Sequence, residues 1–331
     1  MVRPRTYRVP VPRCTGWGNP QSKLVGVNGV LYGTTSKGGL SGCRCGTVFS
    51  ASPSTGRERV VYRFGGMPDG DTPTGDLIVV NGVLYGATVW GGNPGCWPPS
   101  GCGTVFAVNL VSGQETVVYR FQGGGDGEHP FAGLLSVNGT LYGTTAEGGI
   151  PSGSGCDYGD GCGTLFSLEP SSGTETVLYR FPGGQNAERP YSSLIDANGA
   201  LYGTAGGGIA GTVYTFSLAP GLENVIYTFR GGDKDGTGPL AVLYLNGVLY
   251  GTTQGGGFGC HNYFKGCGTV FSIDLSSRHE TVLYSFNGGK DGARPYAGLI
   301  TLNGTLYGTT DGGGGSCGNK NGCGTVFAVT K

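Results

Sequence analysis

Cysteines, three histidines and a recurring acidic corner that ends in proline are the residues of this 331-residue chain that could do chemistry. Ten of the eleven cysteines fall in glycine-rich loops, and four of those loops hold two each: Cys96 with Cys102, Cys156 with Cys162, Cys260 with Cys267, and Cys317 with Cys323. Two thiols across so short a loop can reach disulfide geometry, and the crosslink restrains a segment with little else to hold it. Zinc competes for the same thiols, but it takes four ligands and each loop offers two. The first loop departs from the pattern with "CRC", in which Cys43 and Cys45 are too close for an easy mutual bridge. Cys14 to Cys43 is the expected bridge, leaving Cys45 over, with Cys14 to Cys45 as the alternative. Four or five disulfides point to an oxidising compartment, secreted or periplasmic.

The acidic corners read "DGDTP", "DGEHP", "NAERP", "DGTGP" and "DGARP", ending at Pro73, Pro130, Pro190, Pro239 and Pro295. Paired acids at Asp69 with Asp71 and at Asp233 with Asp235 could hold calcium through hard oxygen ligands. Asp-Gly followed by Pro is also a good turn, and turn formation is the stronger expectation. No other cofactor is expected. Among the histidines, His279 sits in a short solvated turn, whereas His129 precedes a corner proline and His261 lies in "CHNYFKGC". A general base, if the chain has one among its histidines, is His129 or His261. No Ser-His-Asp or HExxH spacing links them to a nucleophile or a metal.

What positions these groups is a repeat. "NGVLYGTT" and its variants recur with their Asn at Asn28, Asn81, Asn138, Asn198, Asn246 and Asn303, at intervals of 53, 57, 60, 48 and 57 residues. That period suits a propeller blade. Each unit has four candidate strands A to D, shown in the third by "FAGLLSV", "TLYGTT", "CGTLFSL" and "ETVLYRF". Asn-Gly between A and B supplies the positive φ angles of a two-residue type I′ hairpin, and "SSGTE" turns C into D. One such meander cannot bury both its faces, so neighbouring units must stack. The last unit stops after strand C, while the chain opens on "RTYRVPV", which looks like strand D. The expected fold is all-β, a six-bladed β-propeller of four-stranded antiparallel blades, closed by the N-terminal strand completing the last blade. A single domain covers 1–331, with blades at about 21–64, 73–121, 130–181, 190–229, 239–286, and 295–330 plus 5–10.

In such a meander the B to C loops and D to A corners share one face, and they are long and divergent, whereas the opposite face carries only tight turns. Binding groups belong on the first face. Small residues at Ser22, Gly75, Ala132, Ser192, Ala241 and Ala297 accommodate crowded inner strands. Just above them, Phe131, Tyr191 and Tyr296 with Glu128, His129, Arg189 and Arg294 could form an aromatic and charged collar for a sugar ring or a carboxylate; packing between blades accounts for them equally. The fourth B to C loop shrinks to "GGGIAG" without cysteine, which predicts a notch walled by Asp157, Tyr158 and Asp160 on one side and by His261, Asn262, Tyr263 and Phe264 on the other. Aromatic faces with acids and amides suit carbohydrate, and paired carboxylates could act on a glycosidic bond, although simple shortening of the loop also explains the gap.

The pattern D-G-x-x-P-x-x-x-L, N-G-x-L-Y-G-T-T, G-G, G-T-V-F and L-Y-x-F resembles the Gloeobacter/Verrucomicrobia-type ("GloVer") tandem repeat, in six copies over nearly the whole chain. It is also similar to kelch repeats, with half of their double-glycine and tryptophan signature. The resemblance implies a secreted or surface protein and no particular reaction.

Formal net charge is zero, from 21 basic and 21 acidic residues without like-charged runs, which excludes the footprint of a nucleic-acid binder. No apolar stretch is long enough to span a bilayer as a helix, and "MVRPRTYRVPVPR" lacks the apolar core of a secretory leader. Asn138 and Asn303 form Asn-Gly-Thr sequons, which the hairpin turn also explains. These features lead to a secreted, disulfide-stapled module that binds glycans or another extracellular protein, or that self-assembles. A glycan hydrolase or lyase working at the channel mouth and a structural subunit of an extracellular layer are the alternatives.

Overall fold

The computed structural model describes residues 17–20, 22–39, 45–149, 156, 161–184, 186–258, 260, 266–315 and 323–331. Their regular structure is all strand apart from one 3-10 turn at Gly124–Asp126. The chain folds as a six-bladed β-propeller of antiparallel blades. Blade 2 shows the A to D order in full, with Ile78–Val80, Val83–Thr88, Thr104–Asn109 and Glu115–Arg120 paired in sequence. Blades 3, 4 and 5 repeat it. The sixth sheet has three described strands, Ile300–Leu302, Thr305–Thr309 and Val326–Thr330. The closing strand expected at 5–10 lies outside the described residues. Backbone contacts gather the chain into two compact units, 1–149 with 165–177, and 150–164 with 178–331.

The repeated motif is explained residue by residue. Asn81 and Gly82 have φ of 51° and 78°, and the other five Asn-Gly pairs match them, so each A to B turn is the left-handed two-residue type that its sequence demands. Leu84 is fully buried on strand B. Gly86, two residues on, lies under the Phe106 ring of strand C: a Cβ there would sit 2.5 Å from Phe106 Cζ and 2.7 Å from Leu77 Cδ2. Glycine in "LYGTT" thus makes room for the phenylalanine of "GTVF", which forms an edge contact with the previous blade, as in Phe64 with Phe106. The second threonine of the motif ties strand B to strand C, since the Thr88 and Thr104 hydroxyls share a 2.8 Å hydrogen bond, and Thr253 with Thr269 repeats it at 2.8 Å.

In the first unit one core joins blades 1 and 2 through Val48, Phe64, Leu77, Leu84 and Phe106, and a second joins blades 2 and 3 through Val105, Phe121, Leu134, Leu141 and Phe166. In the second unit, Phe229, Leu249 and Phe271 link blades 4 and 5, and Phe286, Leu299 and Leu306 link blades 5 and 6.

A polar contact accompanies each of these cores. In blade 1 the Tyr62 hydroxyl donates to Asp69 Oδ2 (2.9 Å), and Glu115 of blade 2 reaches the same phenol. Tyr227 of blade 4 and Glu280 of blade 5, with Asp235 at the corner between them, repeat the arrangement. One phenolic proton serves two carboxyl groups, and Oε1 of Glu115 and of Glu280 is buried without a hydrogen bond. Burial first, and then the neighbouring aspartate charge, push both glutamates from their ordinary 4.5 up to about 7.

Two predictions follow from this packing. Gly86→Ala must displace a fully buried ring and should destabilise the protein by about 1 to 3 kcal/mol, whereas Gly26→Ala, whose Cβ would meet only Leu31 Cδ2 at 3.8 Å, should be close to neutral in a urea melt. The raised glutamates favour the protonated folded chain, so their contribution is complete below the unfolded pKa and is lost as pH rises through about 7. Tm should therefore fall between about pH 5 and pH 8, and the Glu115→Gln, Glu280→Gln double variant should flatten that fall.

Candidate functional site

The corner before each proline is where the fold imposes an unusual backbone. Asn19, Thr72, His129, Arg189, Gly238 and Arg294 precede Pro20, Pro73, Pro130, Pro190, Pro239 and Pro295, and all six have positive φ, from 48° at Arg189 to 65° at Gly238. Five of them carry a side chain in a conformation that costs of order 1 to 3 kcal/mol each. Asn19-Pro20 belongs to the series although it lacks an acidic residue, which is why the Asp-Gly pattern misses it.

Two backbone bonds hold Thr72, His129 and Arg294. His129 N–H donates to Cys102 O (2.9 Å), and His129 O accepts from Ala146 N–H (3.0 Å). Arg294 N–H likewise donates to Cys267 O (2.7 Å), and Arg294 O accepts from Asp311 N–H (3.0 Å). Thr72 and Arg189 donate to Cys45 O (2.9 Å) and Cys162 O (2.7 Å). In every case the acceptor is the carbonyl of the last cysteine in the preceding B to C loop. The glycine after that cysteine explains the proline: a Cβ on Gly103, at φ 94°, would meet Pro130 Cδ at 2.6 Å.

Those cysteines are in disulfides. Cys96–Cys102, Cys156–Cys162 and Cys260–Cys267 have Cα separations of 5.0, 5.3 and 5.3 Å. Cys45 and Cys323 are also disulfide-bonded, to partners outside the described residues. The expectation that Cys45 is left over is therefore corrected: it is buried at the base of its loop and bonded, whereas Cys14, Cys43 and Cys317 lie outside the described residues. Glu128 is buried beside the first bridge, with a carboxylate oxygen within 4.8 Å of Cys96 and Cys102 sulfur. With the sulfurs bonded to each other the group offers one carboxylate, not a zinc site.

His129 is the most enclosed of the expected site residues, 1% exposed. Its Nδ1 lies 2.8 Å from Glu147 Oε2, on the extension of the neighbouring strand B, and the Trp90 ring packs over the imidazole at 4.1 Å between centroids. Trp97 stands further off at 6.4 Å and is 49% exposed. Nε2 is buried and makes no hydrogen bond. Phe131 is half-buried, and its carbonyl accepts from Thr74 Oγ1 at 3.1 Å. In the second unit Arg294 pairs with Asp311 (2.9 Å), Arg189 is half-buried, and Tyr191 and Tyr296 are exposed. Asp157, Tyr158, Asp160, His261, Asn262, Tyr263 and Phe264, the expected walls of the notch, lie outside the described residues. Glu147, Trp90, Trp97 and Asp311 escaped the sequence reading. Their signal was position, one or two residues beyond "TT" or inside a stapled loop.

The corner aspartates have structural work. Asp126 takes Tyr119 O–H on Oδ1 (2.8 Å) and Gln122 N–H on Oδ2 (2.6 Å), and Asp291 takes Tyr284 O–H (2.6 Å) and Asn287 N–H (2.8 Å). Asp69 and Asp235 accept three donors each. Carboxylates so occupied form turns and latch strand D to the corner.

The profile of the Gloeobacter/Verrucomicrobia repeat matches residues 13–158 and 152–331. The chain belongs to that family. No curated protein matches the sequence. Among solved structures it is similar to an oligogalacturonate lyase in complex with manganese (11% identity, TM-score 0.55, covering 92% of this chain and 74% of that one). It is also similar to a 6-phosphogluconolactonase candidate from Bacteroides uniformis (13% identity, TM-score 0.53, 86% and 76%). At such identities the likeness is one of fold.

The aspartate latches yield a prediction. Asp126→Ala should lower stability by about 2 kcal/mol or more, since two hydrogen bonds to a charged group are lost. Excess chelator should leave the wild-type Tm unchanged, and a calcium-dependent Tm would assign the corners to metal instead.

Proposed function

We propose that this repeat protein is an extracellular, disulfide-stapled binding module whose loop-and-corner face engages glycans. The observation that carries this reading is where its exposed aromatic rings lie. Among the described residues, the large aromatic side chains more than a third exposed are Trp97, Tyr191, Phe258, Tyr284 and Tyr296. All except Tyr284 occupy B to C loops or the residue after a corner proline; the tight turns of the opposite face expose Val111 and Leu222 but no large ring. Rings presented singly on stapled loops suit the apolar faces of sugars, with corner amides and carboxylates for the hydroxyls. Five disulfide-bonded loop bases favour an oxidising compartment, and no helix among the described residues is long and apolar enough to cross a membrane.

A second reading, a glycan hydrolase or lyase, draws support from the carboxylate-imidazole pair of Glu147 and His129, which is the pairing that general bases use. A glycan array probed with the intact oxidised protein decides between binding and none. Tyr191→Ala, Tyr296→Ala and Phe258→Ala should each weaken a positive signal by about tenfold if stacking contributes its usual share. A blank array, or signals untouched by all three changes, overturns the glycan reading, and release of shorter sugars from the bound glycan favours the enzyme.

A further inference from the structure

We infer that His129 is the buried anchor of a glycan subsite, accepting a ligand hydroxyl at Nε2 once the exposed Trp97 ring moves from beside the imidazole onto the face of the sugar. The inference rests on the glycan-binding reading above and narrows it to neutral sugars.

Four observations converge on this ring. First, the backbone is held at φ 57°, by bonds to Cys102 O and from Ala146 N–H, so the imidazole is placed by the scaffold and not by its own packing preference. Second, the Glu147 carboxylate can only accept, so Nδ1 carries the proton in the pair. A neutral ring then presents Nε2 as a lone pair. Third, that lone pair is buried without a hydrogen bond in the protein. Native interiors seldom leave a buried acceptor in this condition unless something else fills it. Fourth, two indoles stand by the imidazole, and one of them is half exposed. Trp90 packs on the imidazole at 4.1 Å, but Trp97, at 6.4 Å and half exposed, sits in the loop closed by Cys96–Cys102. An indole able to stack on a sugar ring next to a fixed hydroxyl acceptor is a complete minimal sugar site.

Charge selects among sugars. Glu147 contacts the imidazole, and Glu128, the adjacent residue, is buried against the disulfide. A carboxylate held on the imidazole disfavours a uronate at the other nitrogen and favours a neutral, hydroxyl-rich ring.

The test uses the full oxidised chain. Nitrogen-15 spectra of the histidine rings at neutral pH should find the proton of the His129 ring on Nδ1; a proton on Nε2 instead overturns the assignment before any ligand is added. Cellohexaose, xylohexaose and mannohexaose are then titrated alongside hexagalacturonate. At least one neutral hexasaccharide should bind and shift the His129 Nε2 resonance, with the galacturonate bound at least tenfold more weakly. His129→Asn, which tolerates the left-handed backbone, and Trp97→Ala should each lose at least tenfold in affinity. Glu147→Gln, whose amide oxygen still accepts from Nδ1, should bind like wild type, and Glu147→Leu should not.

The outcomes separate cleanly. A blank array together with no hexasaccharide binding removes the glycan reading and this subsite with it. Glycan binding that leaves Nε2 unshifted, or that His129→Asn changes by less than twofold, removes the subsite alone and assigns Nε2 to a structural water.

Discussion

A single backbone hydrogen bond, repeated at four corners, organises the loop-and-corner face of this protein. The N–H of Thr72, His129, Arg189 and Arg294 each donates to the carbonyl of a disulfide-bonded cysteine at the end of the preceding B to C loop. The bond fixes a residue in the left-handed region just before a proline, where few side chains settle unaided. Loop and corner are thereby joined: the staple holds the carbonyl and the carbonyl holds the corner residue, and at Thr72, His129 and Arg294 the corner residue also accepts from the extension of the following strand B.

The remaining polar repeats serve the scaffold. Tyrosine, corner aspartate and the glutamate of the next strand D form a partly buried carboxyl cluster that shares one phenolic proton, as in Tyr62, Asp69 and Glu115. Its cost is a raised glutamate pKa, and its return is a directional contact between blades whose other contacts are greasy and non-directional. Acidic residues at the corners therefore fall into two groups. The aspartates four residues before the proline, Asp69, Asp126, Asp235 and Asp291, are engaged by backbone and phenol donors, while the position immediately before the proline varies in chemistry, from Asn19 through Thr72 and His129 to Arg189 and Arg294.

The fold was legible in the sequence because its signals are local. Asn-Gly demands one turn, and it recurs often enough, from Asn28 to Asn303, to count blades. The stapled loops were legible for the same reason, since Cys96 and Cys102 are six residues apart. The site was less so. Glu147 lies 18 residues from His129 and meets it only because the corner pairs with the neighbouring strand extension, at the bridge between Glu128 and Glu147. Cys45 was misjudged because "CRC" fixes no preference between its two thiols, whereas the fold does: the second cysteine occupies the position whose carbonyl receives the corner residue, and the structure finds it bonded. Asn19-Pro20 escaped because the mark of a corner is the strained residue before proline, and the Asp-Gly pair only accompanies it.

The fourth loop shows what the staples are for. It has no cysteine, and the carbonyl at the equivalent place belongs to Ala210, which accepts from Gly238 N–H at 2.8 Å. Gly238 is the one corner residue of the series that is a glycine, and glycine adopts φ 65° without the penalty that a side chain incurs. Where a loop is stapled, the corner carries a threonine, histidine or arginine in a strained conformation; where the staple is missing, the corner carries nothing that needs one. If disulfides merely stabilised long loops, the identity of the next corner residue would be indifferent to them. Their coincidence with strained side chains indicates that the crosslink holds the carbonyl rigid enough to keep a chemically distinctive residue in place, so that loop and corner form one structural unit at Thr72, His129, Arg189 and Arg294.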